Sequence, residues 1–183
     1  MRIVGISGSL RKDSWNTKLL KAAAAVAVEK GTTIQIVEWH DLPVLNEDLE
    51  KPAPPEAVTT FREAVEHAHA ILFATPEYNN AIPGGLKNLI DWGSRKPRNI
   101  WADKTVAVIG ATVGGFGAVH GVRDVRHVMT VLGAHVIGAP NVNVSRAQDA
   151  FGDDDALKDP MAAKALDALV ERLIEVSMML RPS

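Results

Sequence analysis

A doubly wound α/β fold is predicted by three observations on the sequence. Five short runs rich in β-branched residues alternate with helical stretches. Most of these runs are apolar almost throughout, as parallel strands covered on both faces must be. The joints after the first, third and fourth runs are dense in glycine, proline, hydroxyl and amide residues, whereas a purely structural connection needs only a short turn and a helix cap.

Arg2–Ser7 reads as the first strand, its apolar run Ile3 to Ile6 stopped abruptly by Gly8 and Ser9. Asn16–Glu29 follows as a helix rich in alanine and leucine, with Gly31 as its stop signal. Thr33–Trp39 is the second strand. Pro52, Pro54 and Pro55 mark a surface loop before a helix over Glu56–His67. Ala70–Thr75 is the third strand and a helix runs from about Pro83 to Ser94. After the fourth strand, Thr105–Gly110, comes a helix over Val119–Leu132 with Val122, Val125, Met129 and Leu132 on one face. Ala134–Gly138 is the fifth strand. Asp153 to Asp155 form an acidic turn, and the last helix spans about Asp159 to Leu180 with Leu166, Leu169, Leu173 and Val176 inward. Five strands alternating with five helices predict a five-stranded parallel sheet with helices on both faces. The flavodoxin-like strand order 2-1-3-4-5 is the first expectation, and a Rossmann order the second. No repeat, low-complexity segment or linker interrupts the 183 residues, of which 46% are hydrophobic, so 1–183 reads as one domain.

Composition removes several functions. The chain has no cysteine, which excludes disulfides, thiolate nucleophiles and Cys-based zinc sites and leaves any redox chemistry to a bound cofactor. A formal net charge of −2 supplies no global field for nucleic acid. The N-terminus enters a strand directly without a signal-like region, and the longest apolar runs fall short of a membrane span; a cytoplasmic protein with no membrane partner is expected.

The three rich joints belong at the carboxyl ends of strands that meet at the topological switch point, where such sheets bind ligands. The first lacks both the Gly-Lys-Ser/Thr phosphate loop and the three-glycine dinucleotide fingerprint. It offers instead the hydroxyls of Ser9 and Ser14, the amide of Asn16, the planar fork of Arg11 and the N–H groups of a helix start, with Trp15 among them. That donor set suits a terminal phosphate monoester; a helix cap plus a solvated arginine explains the same residues. The second joint holds Pro76, Glu77, Tyr78 and Asn79, braced by Pro76 and Pro83, and its backbone suits the edge of a planar heterocycle or a plain rigid turn. Gly114, Gly115 and Gly117 in the third allow close backbone approach to a flat ring, or an ordinary turn.

Gly8-Ser9-Leu10-Arg11 with Ser14 and Asn16, then Pro76-Glu77-Tyr78-Asn79, then Pro83-Gly84-Gly85-Leu86-Lys87-Asn88 with Asp91-Trp92, resemble the NADPH-dependent FMN reductase family, which includes bacterial quinone, chromate and azo-dye reductases. The similarity also takes in Leu42-Pro43 and Asn46-Glu47-Asp48-Leu49. It implies FMN as cofactor and NADPH or NADH as donor, with Ser9, Arg11, Ser14 and Asn16 on the phosphate, Trp15 beside them, Pro76, Glu77, Tyr78 and Asn79 along the isoalloxazine, and Thr112, Gly115 and Gly117 at its pyrimidine side. It further implies a ping-pong oxidoreductase that hands electrons to quinones, free flavin, azo compounds or chromate, and a homodimer or homotetramer. No acid, base or metal is assigned: His67 and His69 flank a helix end, and His120 and His127 fall on a helix's polar face. Arg95, Lys96 and Arg98 suit a 2′-phosphate or a solvated charge run. The competing functions are a flavodoxin-type electron carrier and a nucleotide-binding module without turnover.

Overall fold

The computed structural model describes residues 1–180. Its strands are β1 (Ile3–Ser7), β2 (Ile34–Val37), β3 (Ala70–Thr75), β4 (Thr105–Ala111), β5 (His135–Val136) and β6 (Asn143–Val144). They pair in parallel in the order β2-β1-β3-β4-β5, with β6 also on β4, which is the flavodoxin-like order expected from the sequence. Ile3 lies opposite both Ile34 and Ala70, and Ala70 opposite Thr105, so β1, β3 and β4 finish together at one end of the sheet. The helices are α1 (Trp15–Glu29), α2 (Glu56–Glu66), α3 (Gly84–Ser94), α4 (Val119–Val131), a single turn α5 (Ala147–Ala150) and α6 (Pro160–Met179). Residues 181–183 of the expected domain lie outside the described ones.

The period of two along each strand divides the core. Ile3, Leu72 and Ile109 face α1 and α6 and pack among Leu19, Leu20, Leu169 and Leu173. Val4, Ile6, Ile71, Phe73, Val106 and Val108 face α2, α3 and α4, among Phe61, Leu89, Val125 and Trp101. Because both faces are covered, β1, β3 and β4 are buried along their whole length, and this is why they read as continuous apolar runs rather than as alternations.

Helix boundaries follow local chemistry. Ser14 caps α1, accepting from the backbone N–H groups of Asn16 and Thr17. At its other end Gly31 adopts φ 74° and lets Thr32 N donate to the carbonyl of Ala27, the bond that closes a Schellman turn. Asp159 caps α6 with Pro160 in the first turn. α3 is tied to the connection between β2 and α2 by motif residues: Asn88 donates to the carbonyl of Pro43 and accepts from Leu45 N, and the Trp92 indole donates to Pro43 as well. The expected fifth strand is corrected in detail. Only His135 and Val136 pair with the start of β4; the chain then leaves over residues 138–141, and Asn143–Val144 pair with its end. Pro140 has no N–H to give to the ladder. The carbonyl of Val108, facing this gap, accepts from the Arg126 guanidinium at 3.4 Å.

Candidate functional site

Where β1, β3 and β4 end, the three rich loops enclose a cleft of about 330 Å³. Its walls are Ser9, Arg11, Ser14, Trp15 and Asn16 from the first loop and α1, Pro76, Glu77 and Tyr78 from the second, and Ala111, Thr112 and Val113 from the third. Of the residues expected around one ligand, Asn79, Gly115 and Gly117 are not in this wall. Ala111 and Val113 are, although the sequence carried no signal for them beyond following β4.

The first loop divides between structure and exposed donors. The Ser9 hydroxyl accepts from Arg11 N at 3.3 Å, and the exposed Arg11 guanidinium makes no ion pair among the described residues. Ser14 accepts from two α1 amides at 3.2 and 3.4 Å, so its oxygen is occupied as a cap while its own proton is left to donate. Asn16, expected as a donor to phosphate, has both ends of its carboxamide on one residue of β4: Nδ2 donates to the Ala111 carbonyl and Oδ1 accepts from Ala111 N, each at 2.9 Å. It pins the start of α1 to the end of β4. The Trp15 ring stacks on Phe151 with centroids 5.6 Å apart and an interplanar angle of 29°, and the Lys18 ammonium lies 4.5 Å from its centroid.

The second loop is a miniature hairpin. Tyr78 and Ala81 exchange both backbone hydrogen bonds across Asn79 and Asn80, whose φ values of 52° and 59° make a primed two-residue turn of the kind asparagine tolerates. Tyr78 is thereby held 56% exposed at the mouth of the cleft. Two acids brace the loop against α4. Asp124 accepts from Ile82 N, and the Glu77 carboxylate, its side chain 11% exposed, accepts from His120 N at 2.7 Å and Gly121 N at 3.2 Å while meeting His120 Nδ1 at 3.1 Å. α4 has no side-chain cap of its own, because Ala118 occupies its N-cap in a left-handed conformation; Glu77 supplies that cap from another element. The approach is close, since a Cβ on Gly121 would stand 2.7 Å from the Pro76 carbonyl oxygen. His120, expected on the polar face of a helix, is a partner of Glu77, and that pairing is visible only in three dimensions.

Thr112 opens the third loop by donating its backbone N–H to Val144, and its carbonyl accepts from Ala147 N. Gly117, at φ 62°, is pressed against the backbone of Asn143. The glycine-rich loop is thus braced by β6 and α5.

The electrostatics suit an anion at the α1 end. No acid stands in the first turn of α1, whose amides and dipole end meet Arg11, Ser9 and Ser14 there. Glu77 is the acid in the cleft wall; burial alone would push its pKa up, but the hydrogen bonds from the His120 side chain and from the Gly121 and His120 amides outweigh that and hold it below the usual value. Its negative charge is therefore turned to α4 rather than to the donor end. A phosphate monoester at Arg11 with a planar ring extending past Tyr78 and Thr112 matches this donor set. The basic cluster after α3 is committed elsewhere: Arg95 pairs with Glu50 and Glu47, and Arg98 with Glu66.

Comparison with known proteins is consistent with this geometry. The sequence model of the NADPH-dependent FMN reductase family matches residues 1–149. An NAD(P)H-dependent FMN reductase of Pseudomonas aeruginosa is 38% identical over 173 residues, covering 94% of this chain and 93% of that protein. A quinone reductase of Pseudomonas putida is 40% identical over 158 residues, covering 84% and 83%. Among solved structures, a flavoenzyme NAD(P)H:(acceptor) oxidoreductase from Paracoccus denitrificans superposes with a TM-score of 0.89 at 33% identity, covering 97% of each chain.

Proposed function

The chain belongs to the NADPH-dependent FMN reductase family and is an FMN-dependent oxidoreductase served by NAD(P)H, and from that premise we propose that it passes electrons on to quinones and similar small acceptors in a ping-pong cycle. The observation that carries this reading is the cleft itself, with a cationic, hydroxyl-lined end at Ser9, Arg11 and Ser14 and an open aromatic mouth at Tyr78. When bound there, FMN supplies the two-electron relay between nicotinamide and acceptor. Arg11, Ser9, Ser14 and the α1 amides hold the phosphate. Asn16 fixes the spacing of the first and third loops through Ala111, and Glu77 fixes the second loop against α4, so the ring's surroundings are rigid before it arrives. Pro76, Glu77, Tyr78 and Asn79 of the second loop and Thr112, Gly115 and Gly117 of the third would hold the ring. The quinone class is supported by similarity to reductases so named, and one open face serves donor and acceptor in turn.

The test is steady-state kinetics of the FMN-loaded protein with NADPH, NADH and benzoquinone. Parallel double-reciprocal lines are expected, and intersecting lines would remove the ping-pong cycle. If FMN is reduced but no small acceptor reoxidises it faster than air does, the protein is an electron carrier instead. The apo protein should bind FMN more tightly than riboflavin; equal affinities would remove the phosphate assignment. Tyr78→Ala is expected to change KM for nicotinamide or quinone severalfold while stability shifts by no more than about 0.5 kcal/mol, because the bonds that form the hairpin are main-chain ones. A Tyr78→Ala variant that melts well below wild type would make the tyrosine a structural residue. A homodimer or homotetramer is supported by the exposed Tyr78 and Val113 in the cleft wall and the exposed Phe116 that follows in the third loop, and sedimentation velocity decides it.

A further inference from the structure

A second cavity, of about 220 Å³, lies between α4 and the chain around β6, lined by Val119, Val122, Arg123, Arg126, Asn141 and Asn143. Its wall carries two guanidinium groups and no carboxylate. Arg123 is answered by its neighbour Asp124. Arg126 is not: it makes no ion pair among the described residues, and its contacts are neutral, NH1 to Asn141 Oδ1 at 2.7 Å and NH2 to the Val108 carbonyl at 3.4 Å. Its Nε is buried without a hydrogen-bond partner. Other half-buried cations are treated differently. Arg62 and Lys104 feel Glu66 nearby, whereas burial alone acts on Arg126. A desolvated cation without a counter-ion is unfavourable, as is each buried donor or acceptor left unpaired.

We propose that this cavity is a binding site for a phosphate-class oxyanion, gripped by Arg126. The guanidinium sets the ligand class. NH1 and NH2 each keep an N–H beyond the bonds to Asn141 and Val108, side by side on one planar fork, and the paired anionic oxygens of a phosphate or phosphate monoester match such a fork. The assignment stands independently of the cleft and of its proposed acceptors. The ion comes either free from solution or as the phosphate of a nucleotide, the chemistry at Arg126 being the same.

The test is calorimetric titration of the FMN-saturated protein, in which the cleft is filled, with inorganic phosphate and with adenosine 2′-monophosphate at constant ionic strength. Saturable binding is expected, weakened at least tenfold in Arg126→Gln. Asn141→Asp, at an exposed position already 2.7 Å from the guanidinium, supplies a carboxylate from within; it should raise the melting temperature and abolish phosphate binding, and it keeps the proposal falsifiable if Arg126→Gln does not fold. Tenfold tighter binding of the nucleotide than of inorganic phosphate would identify the source as a nucleotide, and equal binding as the free ion. No binding of either by about 10 mM overturns the site, as does binding that both variants retain. Dissociation of a native oligomer by Arg126→Gln with no phosphate response also overturns it, giving the guanidinium to a second copy of the chain.

Discussion

Arg11→Ala is expected to weaken FMN binding by about one to two orders of magnitude, the loss of a charge-assisted contact worth roughly 1.5–3 kcal/mol, while riboflavin binding barely changes. The side chain is exposed and makes no ion pair among the described residues, so the melting temperature should hold. Arg11→Lys should restore only part of the affinity, because an ammonium carries the charge without the planar fork. Fluorescence titration of the apo variants with both flavins at one salt concentration is the measurement. An equal loss for FMN and riboflavin would mean that Arg11 acts on the loop and not on the phosphate.

Glu77→Ala should cost the protein about 2–4 kcal/mol, because it strips two amides at the start of α4 of a buried anionic acceptor and leaves α4 uncapped. Denaturant titration would show it; a change below about 0.5 kcal/mol would mean that solvent replaces the carboxylate there at no cost. The contribution depends on pH with a definite sign. The folded-state pKa of Glu77 is depressed, so its stabilisation is present above the unfolded value of about 4.3 and is lost as pH falls through the folded one. Wild type and Glu77→Gln should therefore differ most near neutrality and converge in acid. A gap that widens on acidification would reverse the assignment.

The contrast between Glu77 and Arg11 shows which parts of the site sequence reasoning can reach. The positions of the three loops follow from strand ends and turn chemistry, which are local, and the structure brings all three together in one cleft. What individual side chains do there is decided by tertiary partners. Ser14 is both a helix cap and a plausible phosphate donor because one residue type serves both roles. Nothing near Asn16 in sequence announces Ala111 as its partner, and nothing near Glu77 announces His120. The fold divides in the same way. β1, β3 and β4 were legible as continuous apolar runs and the long helices through the period that one-sided burial imposes, whereas β5, β6, α5 and the turn of 3₁₀ helix over Glu47–Glu50 are too short to carry either signal. His135–Val136 lay within the expected fifth strand, but Asn143–Val144 did not, since a two-residue strand depends on the β4 groups it meets rather than on its own composition.

The broken pairing along the outer side of β4 has a consequence for how the protein behaves when crowded. A parallel sheet ends in a row of unsatisfied amides that another molecule can extend strand upon strand. Here that row is cut into two pieces of two residues each, separated by a segment that swings away at Pro140, with Arg126 reaching across the gap to the Val108 carbonyl. Pieces this short offer no register for a foreign strand to copy. Fibril growth under partial denaturation would start instead from β2, the edge at which four consecutive residues lie in one unbroken strand. Placing a charge or a proline there, not near residue 140, is the way to lengthen the protein's life in concentrated solution.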